Sequence, residues 1–105
     1  MSGSAPLAVR VHCRFGDKGD TGLFVLVPYE PRDFNWLVAA VSPARIARHF
    51  GGISPAQVRC RPCPGLGAVV VAVHNLLAGG VTASLAVDAH GKTLAGHLLA
   101  MRVAQ

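Results

Sequence analysis

Residues that could do chemistry concentrate in Gly16-Asp17-Lys18-Gly19-Asp20-Thr21-Gly22, where three glycines alternate with charged and hydroxyl side chains. Glycines let backbone approach a ligand closely, and successive free N–H groups can form an anion-binding nest. Gly16, Asp17, Lys18, Gly19, Asp20 and Thr21 are therefore the candidate ligand-binding residues. Lys18 would supply positive charge, while Asp17 and Asp20 would orient it, cap a turn or accept hydrogen bonds from ligand hydroxyls. The spacing is not that of a Walker loop, because no G-x-x-x-x-G-K-[ST] occurs and a strand pattern follows. The same residues also fit a plain β-hairpin or crossover loop whose aspartates bond their own backbone and whose lysine is solvated.

Cys60-Arg61-Pro62-Cys63 has the C-x-x-C spacing that lowers a thiol pKa when the first cysteine opens a helix. Here the first cysteine falls at the end of a strand pattern, so reduced thiols with Cys60 as core filler are expected. A zinc site would need two further ligands, and no second C-x-x-C or H-x-x-x-H supplies them. His12, His49, His74, His90 and His97 show no metal-binding spacing; His49 and His74 could act as acid/base groups facing a pocket or simply sit on a surface. Ser42 and Ser84 lie in no nucleophile motif. No metal and no cofactor is expected.

The elements that must position these residues follow from hydrophobic periodicity. Over residues 7–15, Leu7, Val9, Val11, Cys13 and Phe15 alternate with Ala8, Arg10, His12 and Arg14, a strand with one buried face. The 16–22 loop interrupts it. Leu23-Phe24-Val25-Leu26-Val27, ended by Pro28, predicts a strand buried on both faces. Asp33 can cap a helix burying Phe34, Leu37, Val38 and Val41; Ser42-Pro43 then restarts a helix that buries Ile46 and Phe50 and stops at Gly51-Gly52. A third strand carries Val58 and Cys60 between Gln57, Arg59 and Arg61. Residues 66–78 fit either a valine-rich strand or a helix with Leu66, Val73 and Leu77 on one stripe and Gly79-Gly80 as its C-cap; the helix is the preferred expectation. Val81, Ala83, Leu85 and Val87 predict another strand, residues 88–91 a reverse turn, and Leu99, Met101 and Val103 a closing strand.

At 105 residues, with 51% hydrophobic and 14% charged residues, the chain predicts one folded domain, with residues 1–6 as a disordered tail. No apolar run approaches the ~20 residues of a membrane-spanning helix, and the first residues lack the pattern of a signal peptide, so a cytoplasmic protein without membrane partners is expected. Ten Lys and Arg against five Asp and Glu give a net charge of +5. The basic residues are scattered and the aromatics few, which argues against nucleic acid and suits an anionic small molecule, an acidic protein partner or simple solubility.

Two motifs carry a resemblance. Arg14-Phe15-Gly16-Asp17-Lys18-Gly19-Asp20-Thr21 is similar to the R-S-G-D-K-G-D/N-x opening of the C-terminal domain of the acyclic terpene utilisation (AtuA) family. Val81-Thr82-Ala83-Ser84-Leu85-Ala86-Val87-Asp88-Ala89-His90-Gly91-Lys92-Thr93-Leu94 resembles its G-G-V-T-x-S-L-x-x-D-x-x-G-K-x-L segment. The resemblance covers residues 7–103. It implies an α+β, ferredoxin-like fold: a four- or five-stranded sheet with helices on one face. It also implies a place in catabolism of terpenoid or branched acids as acyl-CoA thioesters. The domain is fused behind a large N-terminal domain in larger relatives, so a homo-oligomer or a separately encoded large AtuA-like subunit is the expected partner. The chain departs from the family pattern at Gly22-Leu23, at Cys63-Pro64-Gly65 and at Val70, which points to an accessory subunit; the alternative is an enzyme or binding module holding a CoA-ester-like anion on the 16–22 loop.

Overall fold

In a computed structural model, which describes residues 3–76 and 92–105, the long apolar run becomes the centre of a four-stranded antiparallel sheet. Its strands are β2 (Val11–Lys18), β3 (Thr21–Pro28), β4 (Val58–Cys63) and β5 (Ala68–Val73), ordered β2-β3-β5-β4; β1 (Ser4–Pro6) and β6 (Arg102–Ala104) form a separate two-stranded antiparallel ribbon. With α1 (Phe34–Ala40), α2 (Pro43–Phe50) and α3 (Lys92–Leu99), the architecture is α+β.

Strand alternation explains where the core lies. Phe24 and Leu26 of β3, Val69, Val71 and Val73 of β5 and Val58 of β4 point to one face, where Leu37, Ile46, Phe50, Leu94 and Leu98 of the helices join them in one buried cluster. The helices thus lie on a single face of the sheet. On the other face stand Leu23, Val25 and Val27 of β3 with Val70 and Ala72 of β5, all half-buried and none belonging to that cluster.

Local chemistry sets the boundaries. Ser42 Oγ accepts a hydrogen bond from Arg45 N–H at 3.2 Å and Pro43 occupies the first helical position, so α2 starts as its sequence predicts. Gly51, with φ of 71°, ends it. Asp33 precedes α1 without capping it through its side chain, because its carboxylate instead faces Arg10 Nε at 3.6 Å.

Several expectations are corrected. Residues 68–73 form strand β5, not a helix: β-branched valines fill a strand paired on both sides, and Leu66, which the helical stripe would bury, is 77% exposed in a short 3-10 turn. The expected first strand is split, since Leu7–Val9 is a 3-10 turn that leaves Val9 exposed and β2 begins at Val11. Leu99 belongs to α3, and the closing strand spans only Arg102–Ala104. The supposed tail contributes Ser4–Pro6 to β1, held by pairing with Arg102–Ala104 and by Leu7 N–H donating to Met101 O at 2.9 Å. The strand expected at 81–87, the turn at 88–91 and the Gly79-Gly80 cap lie outside the described residues. Among the described residues, no helix is long and apolar enough to cross a membrane.

Candidate functional site

The Gly16–Gly22 stretch does not interrupt β2; the ladder runs through it. Gly16 pairs with Leu23, Asp17 with Gly22 and Lys18 with Thr21, so only Gly19 and Asp20 form the turn. Gly19 has φ of 62°, the left-handed conformation that a two-residue hairpin turn requires. Residues 16–20 are exposed, and Thr21 Oγ1 lies 3.4 Å from His74 Nδ1. His74 is fixed in turn by its backbone: its N–H donates to Gln57 O and its carbonyl accepts from Gln57 Nε2, each at 2.8 Å. The structure thus gathers Lys18, Thr21 and His74 at one end of the sheet. Gly22 is there for space, since a Cβ on it would stand 2.5 Å from Leu76 Cδ2 and 3.1 Å from Phe15 Cε1.

The cysteine pair is separated by strand geometry. Cys60 pairs opposite Val71 on the core side of β4, whereas Cys63, three residues on, falls on the opposite face. Both thiols are free, and burial pushes the Cys60 thiol up to about 11 and that of Cys13 up to about 12, the reverse of an activated redox thiol. Pro62 is tolerated in β4 because this is an edge strand. Among the described residues, no three metal-ligating side chains converge.

A second constellation was not legible from spacing. His49 of α2 and His97 of α3, 48 residues apart, stack with ring centroids 4.5 Å apart and an interplanar angle of 29°. His49 Nε2–H donates to the His97 carbonyl at 2.6 Å. His97 also packs on Phe50 at 4.9 Å, which continues through Phe24 to Phe15. His97 Nε2 is buried without a hydrogen-bond partner, and burial, reinforced by the neighbouring His49, lowers its pKa.

Beside this pair, a cleft of about 370 Å³ opens between α2 and the junction of α3 with β6, lined by Arg45, Arg48, His49, Ala100, Met101 and Arg102. Arg45 Nη1 donates to Ala40 O at 3.2 Å, satisfying a carbonyl at the end of α1. Arg102 donates from Nε to Ser4 Oγ at 3.2 Å and from Nη2 to Ser4 O at 2.9 Å. Arg45 and Arg48 stand three residues apart on one helix face, a signal the sequence offered; that Arg102 joins them depends on the β1–β6 ribbon.

In comparison with known families, the model of the AtuA ferredoxin-like domain matches residues 5–104. No curated protein and no solved structure matches.

Proposed function

We propose, from the premise that this chain belongs to the AtuA ferredoxin-like domain family, that it is the accessory domain or small subunit of an AtuA-like system in cytoplasmic catabolism of terpenoid or branched acyl-CoA compounds, docking onto a large AtuA-like partner. The observation that carries this reading is the sheet face opposite the helices, which no helix covers among the described residues. There Arg14, Val25, Val70 and Arg61 line up across β2, β3, β5 and β4, and Gly16, Leu23, Ala72 and Arg59 form the next row. An apolar centre between two cationic edges has the anatomy of a protein interface, and its charge suits a partner with an acidic rim. Self-association through this face would set like-charged edges against each other, which is why the large chain is the preferred occupant over a second copy.

The test is sedimentation velocity of the purified chain mixed with the purified large AtuA-like chain of the same host. A 1:1 complex at micromolar concentration is expected, weakened at least ~10-fold by Val25→Glu and by Arg61→Glu, the latter at an exposed position that the fold tolerates. Independent sedimentation of the two chains, self-association alone, or a complex indifferent to both variants would refute the reading. A second reading keeps a CoA-ester-like anion at the Gly16–Thr21 hairpin; the exposed Lys18 beside the Thr21–His74 contact favours it.

A further inference from the structure

The cleft between α2 and β6 has a charge pattern that the docking role does not use. Arg45, Arg48 and Arg102 converge on it, and among the described residues no carboxylate lines it. Among the described residues the acidic groups lie elsewhere: Asp17 and Asp20 on the hairpin, Asp33 engaged by Arg10, and Glu30 outside the cleft lining. Three guanidinium groups held around one space repel each other unless an anion sits between them. Two of the three are also fixed by backbone or ribbon contacts, Arg45 on Ala40 and Arg102 on Ser4, so their remaining donors are pre-oriented. Arg48 has no described partner at all and is exposed at the rim.

We infer that this cleft binds a phosphorylated small molecule, its dianionic phosphate or trianionic diphosphate held by Arg45, Arg48 and Arg102. Guanidinium forks match phosphate oxygens bidentately. Donors that approach from a helix on one side and a strand on the other suit a tetrahedral oxyanion better than a planar carboxylate. A volume of about 370 Å³ exceeds what inorganic phosphate needs and falls in the range of small-molecule sites, leaving room for the group that carries the phosphate. Met101, buried in the cleft lining, and the His49 ring offer that group an apolar wall. The site lies away from the sheet face opposite the helices, so it stands or falls independently of partner docking.

The experiment is titration of the ¹⁵N-labelled chain with pyrophosphate at fixed ionic strength, followed by amide shifts and repeated with citrate. Shifts confined to residues 45–49 and 100–102 are expected, with citrate at least ~10-fold weaker and the dissociation constant for pyrophosphate raised ~10-fold or more by Arg48→Glu. Arg48 makes no described contact, so its variant should keep the wild-type spectrum elsewhere. Arg32→Glu, at an exposed position of the turn before α1 that does not line the cleft, changes net charge by the same amount and should leave binding unchanged. Equal weakening by Arg32→Glu would reduce the effect to generic electrostatics and overturn the site. So would shifts centred on residues 16–21, citrate binding as tightly as pyrophosphate, or no shifts at millimolar pyrophosphate.

Discussion

Replacing Gly22 by alanine should destabilise the fold through one contact that the structure identifies. A methyl at this position would stand 2.5 Å from Leu76 Cδ2, whereas relaxed carbon–carbon contacts lie at about 3.5–4.0 Å. Leu76 is fully buried, so its terminal methyl can yield only by repacking within the core. Phe15, 3.1 Å from the new Cβ, crowds it as well and is itself packed at a tilt against Phe24, with ring centroids 5.0 Å apart. Overpacking of this kind costs about 1–3 kcal/mol, and loss of glycine's freedom in the unfolded chain returns about 0.4–1 kcal/mol. The net expectation is a loss of about 1–2 kcal/mol, which for a domain of this size lowers Tm by roughly 4–16 °C. Urea unfolding followed by the single Trp36 reads the change. Gly16→Ala, one pleat away with nothing within 4 Å of its added Cβ, should stay within about 0.5 kcal/mol of wild type. In a Leu76→Ala background the penalty of Gly22→Ala should vanish or change sign, because the added methyl then fills part of the space left by leucine. An undiminished penalty in that background, or none in the wild type, would refute the packing argument.

Two further outcomes follow from titratable groups. Because the pKa of His97 is lowered in the fold, the unfolded chain holds a proton that the native chain does not; stability is therefore full above the ordinary histidine value of 6.5 and falls as pH drops below it toward the lowered value, a slope that urea midpoints between pH 7.5 and 5 should show and that His97→Phe should flatten. Cys13 and Cys60, raised from 9.0 to about 12 and about 11, should react with a thiolate-specific reagent at pH 8 roughly 1000-fold and 100-fold more slowly in the native than in the urea-unfolded chain, as mass mapping of labelled peptides would reveal.

How much of this was legible depended on whether the signal was local. The Ser42-Pro43 start and Gly51 stop of α2, and the run that became β3, are written in adjacent residues and stand where expected. The valine-rich run of β5 was not decidable by periodicity, because a strand with burial on both faces supplies apolar residues at every spacing, the helical one included. Its β-branched content carried the answer. α3 went unread since Leu94 and Leu98, its buried pair, sit among residues that also alternate like a strand, with Gly96 between them. The 16–22 hairpin was found as a motif, but its strand character was hidden by glycines that serve the turn at Gly19 and the close approach at Gly22. Both the histidine stack and the arginine cleft join residues roughly fifty positions apart, which only the packing of α2 against α3 and the ribbon could bring together.

The ribbon has a mechanical meaning as well. Ser4 lies directly opposite Ala104, and Gln105 N–H donates to Gly3 O at 3.2 Å, so chain entry and exit share one point on the surface. Tension applied between the two ends would pull across that short ladder and open it rung by rung, as a zipper opens, instead of shearing all rungs at once. Such loading would withdraw Ser4 from Arg102 and Ala104 from the Trp36 indole before it strained the four-stranded sheet. The seam at the termini is thus the weak link along the pulling direction, and the arginine cleft is the first feature it would take apart.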